Sequence, residues 1–145
     1  MTKMRQGEPF MPAADYGRSL AGFGVNLLVR DVAEALRFQR EVLGLAPVYH
    51  DADFAVLAYR GHQWMLHADH AYAANPLLAL VGDGALRGAG CELRLYGLDP
   101  DAAAARCRSA GFTLLAPPAD KPHGLREAYL ADADGYVWVP GSALP

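Results

Sequence analysis

Cysteine is scarce, basic residues form no cluster, and no apolar run approaches the roughly 20 residues of a membrane-spanning helix. The two cysteines, Cys91 and Cys107, are too few for a disulfide framework and lack the spacing of a metal site. Cys91 falls in an expected strand and Cys107 on an expected helix, so both read as free, buried thiols in a reducing compartment. A net charge of −3 with dispersed Lys and Arg gives no footprint for nucleic acid and no polybasic membrane patch. Residues Met1 to Pro9 lack the apolar stretch of a secretory signal. The expectation is a soluble, cytoplasmic protein with no nucleic-acid or membrane partner. Two catalytic signatures are missing as well. Ser19, Ser109 and Ser142 lack a nucleophile elbow, and the glycine pairs Gly22/Gly24 and Gly88/Gly90 open strands, not phosphate-cradling helices.

What the chain has is an internal repeat. Of its 145 residues 52% are hydrophobic and 20% charged, a globular composition sufficient for one domain. The stretch Gly22-Phe23-Gly24-Val25-Asn26-Leu27-Leu28-Val29-Arg30-Asp31 is echoed by Gly88-Ala89-Gly90-Cys91-Glu92-Leu93-Arg94-Leu95-Tyr96. Two copies point to a pseudo-symmetric domain and not to a solenoid. Phe23, Val25, Leu27 and Val29 alternate with their neighbours at the period of a strand. Asp31 then stands as a helix cap, Val32, Ala35, Leu36, Gln39, Val42 and Leu43 recur at helical spacing, and Gly44 ends the helix. Three short runs follow, Ala46 to Tyr49, Phe54 to Tyr59 and Gln63 to His67, as an antiparallel meander.

The second copy repeats the plan. A strand over Cys91 to Tyr96 leads through Asp99-Pro100 into an alanine-rich helix ended by Gly111. Phe112 to Ala116 reads as a strand and the proline-rich stretch to Gly124 as a loop. Leu125 to Leu130 and Tyr136 to Val139 read as a hairpin turning at Asp132-Ala133-Asp134-Gly135. The fold class expected is α+β. Residues 1–21 form an arm without defined elements, 22–71 a first β-α-β-β-β module, 72–87 a linker and 88–145 a second such module, together one domain.

Two stretches carry a family resemblance. Gly24 to Val32, ahead of the helix containing Leu36-Arg37-Phe38-Gln39-Arg40-Glu41-Val42-Leu43-Gly44-Leu45, and Arg126 to Trp138 resemble the vicinal oxygen chelate superfamily. That superfamily includes glyoxalase I, bleomycin- and fosfomycin-resistance proteins and extradiol dioxygenases. The resemblance implies two modules joined into a curved, partly open mixed β-sheet barrel, often a homodimer, with ligand in the concavity. It also implies metal ligands, where present, at Gly24, Gln63, Gly90 and Val139. Three of those four lack a donor side chain, so the implied role is metal-independent sequestration of an aromatic or drug-like molecule, with no cofactor. The alternative is a metal-dependent glyoxalase-like lyase or isomerase, or a dioxygenase, using Gln63 with His67 or His70. Glu92 acting as a general base without metal is a third reading.

Within this frame the ligand-facing residues are Asn26, Gln63 and His67 in the first module and Glu92 and Arg94 in the second. His123 and Arg126 are expected as contacts from an overhanging loop. Trp138, with Trp64 and Tyr129, offers stacking surface; the competing role for all three is core or interface. Glu92 and Arg94 equally fit a mutual ion pair, and His67-Ala68-Asp69-His70 a polar strand exit.

Overall fold

The computed structural model describes residues 3–72 and 74–145. Helix α1 spans Ala13–Ser19, β1 Asn26–Val29, α2 Val32–Glu41, β2 Tyr49–His50, β3 Phe54–Tyr59 and β4 His62–Ala68. Beyond two short 3₁₀ turns come β5 Glu92–Tyr96, α3 Pro100–Ala110, β6 Thr113–Asp120, β7 Leu125–Ala131 and β8 Val137–Ala143. The β-α-β-β-β plan therefore occurs twice. The strands hydrogen-bond as two four-stranded mixed sheets, ordered β1-β4-β3-β2 and β5-β8-β7-β6. Among the described residues no strand of one sheet pairs with a strand of the other. In each sheet the repeat's first and last strands pair in parallel and the other pairings are antiparallel.

The compact units do not coincide with the repeats. Residues up to Ala33 cluster with Leu45–Leu80, whereas Glu34–Gly44 cluster with Val81–Pro145. Most of α2, the first repeat's helix, thus belongs to the second unit. There Phe38, fully buried, meets Phe112 edge-on at 5.0 Å and lies 6.3 Å from Trp138. Arg37 covers the Phe112 ring at 4.2 Å and donates to the Ala110 carbonyl, and Arg106 donates to the carbonyl of Val42. These contacts satisfy end-of-helix carbonyls that α2 and α3 cannot satisfy internally.

In the first unit, Leu27, Val29, Ala55, Leu57, Trp64, Leu66 and Ala68 fill one face of the sheet and are all buried. The N-terminal arm is more ordered than its sequence suggests. The backbone N–H groups of Met4 and Arg5 donate to the buried Asp53 carboxylate at 2.7 and 3.2 Å, and His70 Nε2 sits 2.8 Å from the same group. Burial acts to raise the Asp53 carboxyl, but the Met4 N–H, His70 and the Arg5 N–H together bring it below its ordinary value. Further along, Phe10 stacks on Tyr49, and α1 delivers Tyr16 edge-on to Phe54. Helix α1 departs from the expected arm without elements; it buries no residue and shows no apolar periodicity that would mark it.

In the second unit, Asp99 caps α3 by accepting from the N–H groups of Asp101 and Ala102, and Gly111 closes it at φ +82°. Strand β6 runs on through Pro117 and Pro118, where the proline content suggests a loop. It is the edge strand and shifts register at Ala116 and Ala119, which tolerates residues lacking an N–H. Cys91 also departs from expectation, lying exposed just before β5, whereas Cys107 is buried as expected. In the second glycine pair Gly88 has a packing reason, since a Cβ there would stand 2.6 Å from Tyr136 Cα.

Candidate functional site

Strand registers decide which side chains share a face, because directly paired residues point the same way. Each repeat ends in a hairpin that turns on a positive-φ glycine, Gly61 or Gly135, with a tryptophan three residues later, Trp64 or Trp138. This sets Met65 against Val139. Asn26 pairs with Met65 and Arg94 with Val139, so Asn26 and Arg94 are counterparts, and likewise Gly24 and Glu92. The repeat is therefore two residues out of step with the alignment of the glycine pairs. The counterpart of Gly24 is Glu92 and not Gly90, and that of Val139 is Met65 and not Gln63.

On the first unit, Asn26, Leu28, Phe54, Val56, Gln63, Met65 and His67 occupy one face. Asn26 Oδ1 and His67 Nδ1 lie 2.5 Å apart. The His67 ring is flanked by Phe54 at 4.8 Å and by Tyr72 at 4.5 Å. Burial among these rings pushes the imidazole down to about 4, with Lys3 adding to the effect and Asp51 opposing it. His67 is accordingly neutral at physiological pH. Gln63 is exposed at the start of β4. His70 does not join His67; it is engaged with Asp53.

On the second unit, the corresponding face carries Glu92, Arg94, Glu127, Tyr129, Val137 and Val139. Arg94 bridges two carboxylates, donating to Glu92 at 2.8 Å through Nη1 and to Glu127 through Nη2. Glu127 is 1% exposed and also lies 3.3 Å from His123 Nε2. Burial alone raises its carboxyl; His123 and Arg94 outweigh that and hold it below the carboxylate range. Hydrogen bonding by the Tyr129 hydroxyl, followed by Arg94, holds Glu92 low as well. Arg94, although partly desolvated, is driven further toward its charged form by Glu92 and Glu127.

Several expected residues lie elsewhere. Arg126 alternates with Glu127 along β7 and so faces the helix side, bound to Asp101 at 2.7 and 2.9 Å and to Asp120 at 2.9 Å. Trp138 is 2% exposed on the core face, its Nε1 donating to Asp132 Oδ2 at 2.9 Å. His123 does approach the charged face. Glu127, Phe54 and Tyr72 join the two faces without being among the expected residues, although strand parity with Tyr129 and His67 marks the first two.

The donor set can be weighed against a divalent transition metal. The four register-equivalent positions hold Gly24, Met65, Glu92 and Val139, a single carboxylate already neutralised by Arg94. Zinc, nickel and manganese sites need several nitrogen, carboxylate or thiolate donors, so these residues do not fit such an ion. Among the described residues, no group of three or more His, Cys, Asp or Glu side chains could hold a metal. No described helix is long and apolar enough to cross a membrane.

Solved structures share the fold. A glyoxalase-related enzyme from Fulvimarina pelagi is 24% identical, with 85% of this chain and 88% of that chain covered at a TM-score of 0.66. A glyoxalase/bleomycin resistance protein/dioxygenase family enzyme from Burkholderia phytofirmans PsJN is 20% identical, with 83% and 96% covered at 0.68. A fosfomycin resistance protein from Mesorhizobium loti is 16% identical, with 85% and 92% covered at 0.59. At such identities the likeness shows the fold alone. Comparison with curated proteins gives no match. The sequence pattern of the Glyoxalase/Bleomycin resistance protein/Dioxygenase superfamily matches residues 23–139, and the chain belongs to that superfamily.

Proposed function

We propose that the protein binds a small molecule without a metal ion, sequestering an aromatic or drug-like ligand in the manner of the bleomycin-resistance proteins. The donor set carries this reading: where metal-dependent relatives would present ligands, the chain has Gly24, Met65, Glu92 and Val139. A fosfomycin resistance protein among its structural neighbours supports a role in resistance. On the first unit recognition falls to Asn26 and His67 among aromatic rings. On the second it falls to Glu92, Arg94 and His123. Apolar walls with a few placed polar groups are the usual make-up of small-molecule sites. A cytoplasmic homodimer belongs to the same proposal.

Glu92 as a general base finds no support. A base working near neutrality needs a raised pKa, whereas Tyr129 and Arg94 lower that of Glu92. The reading is tested by a thermal-shift screen of planar antibiotics, aromatic acids and glutathione conjugates in EDTA. A ligand that binds only the folded chain raises Tm. Stabilisation under chelation supports the proposal. Stabilisation that requires added divalent metal replaces it with a metal-dependent lyase, isomerase or dioxygenase.

A further inference from the structure

The pairing of Asn26 with His67 does more than fill space. With Asn26 Oδ1 at 2.5 Å from Nδ1, the amide oxygen accepts and the ring nitrogen must donate. The neutral imidazole is thereby fixed as the Nδ1–H tautomer, and Nε2 keeps its lone pair. The ring that carries Nε2 is in contact with the aromatic side chains of Phe54 and Tyr72. The ring's polar contact is with Asn26, through Nδ1, and among the described residues none donates to Nε2. His67 is half-buried, so this acceptor is not engulfed by the core.

We propose that His67 Nε2 is a preset hydrogen-bond acceptor for a flat ligand bearing a hydroxyl or N–H donor, with Asn26 as the positioning residue that fixes its tautomer. This rests on the binding-protein reading and specifies the ligand chemistry on the first unit. Neutrality suits an acceptor. Burial suppresses protonation, which would turn Nε2 into a donor, and Lys3 reinforces this against the weaker pull of Asp51. The aromatic flanks supply stacking area, and the lone pair selects orientation. Such a surface favours phenols, hydroxyquinolines or indoles over their O- or N-methylated forms. Methylation removes the donor and leaves the lone pair unsatisfied beneath the ligand.

Two readouts test this. In the ¹⁵N spectrum of the full chain at pH 7, His67 should report Nδ1–H with an unprotonated Nε2. Asn26→Asp should retain that tautomer, since a carboxylate also accepts, and Asn26→Leu should lose it. In NMR titration, 2-naphthol should bind about five-fold more tightly than 2-methoxynaphthalene, the size of one net neutral hydrogen bond. His67→Phe keeps a ring in place and should equalise the two probes. An Nε2–H tautomer in the unsubstituted protein overturns the inference. So does equal affinity of the probes, which leaves metal-free binding standing. If the tautomer is as stated but neither naphthalene binds, the inference fails together with ligand binding on this face.

Discussion

The two repeats share the register of their last hairpin and of the parallel strand beside it, yet their equivalent faces carry opposite chemistry. Where the first has Asn26, Phe54 and a neutral His67, the second has Arg94, Glu127 and Gly141. Backbone topology therefore sets where side chains point and nothing about what they do. In the first unit a hydrogen bond and aromatic flanks orient an uncharged ring. In the second, a guanidinium is committed to holding a buried carboxylate. A residue on an expected ligand face is thus free for recognition only to the extent that its neighbours leave it free.

The largest expected effect tests that commitment. Arg94→Met leaves Glu127 buried without its guanidinium partner and should cost about 3 kcal/mol in urea unfolding, because an uncompensated buried charge is expensive. Adding Glu127→Leu should recover most of the loss, since an apolar pair can replace a buried ion pair. The equivalent change in the first unit, Asn26→Leu, should cost about 1 kcal/mol or less, one net hydrogen bond. Similar costs at the two positions would erase the contrast.

Next in size is Asp53→Ala, which removes the shared acceptor of two arm N–H groups and His70. A loss of about 2 kcal/mol is expected, with new proteolytic cleavage before α1. Unchanged cleavage would mean that Phe10 and Tyr16 hold the arm unaided.

Acidification should act with opposite sign through two groups, His67 in the first unit and Asp132 in the second. His67 falls to about 4 from 6.5 on folding, so the unfolded chain takes its proton first. Its stability contribution is complete above pH 6.5 and is lost as pH falls toward 4. Asp132 rises to about 6 from 3.8, chiefly through burial, with Asp134 adding to it. Here the folded chain takes the proton first, so stability is gained as pH falls through 6. Stability difference curves for His67→Gln and Asp132→Asn should slope oppositely between pH 4 and 6; parallel slopes would refute the assignment.

Much of this is legible in the sequence. Period-two alternation alone puts Asn26 on the face of its strand that carries Met65 and His67, and Glu92 and Arg94 on one face of theirs. Where the sequence misleads, the causes are local. Aligning Gly22 with Gly88 is natural because both glycines open a strand, but Asp31 and Asp99, at the entries to α2 and α3, mark the true offset. Residue type favours Arg126 over Glu127 as a ligand contact, although parity with Tyr129 turns Arg126 toward α3. The run of β6 through two prolines and the grouping of α2 with the second unit depend on contacts distant in sequence. No local pattern encodes them.

The most direct test of metal-free binding is the metal content of the purified protein after incubation with Zn²⁺, Ni²⁺ or Mn²⁺ and exhaustive dialysis. Gly24, Met65, Val139 and an Arg94-bound Glu92 predict no stoichiometric ion. One tightly held metal per chain would contradict it.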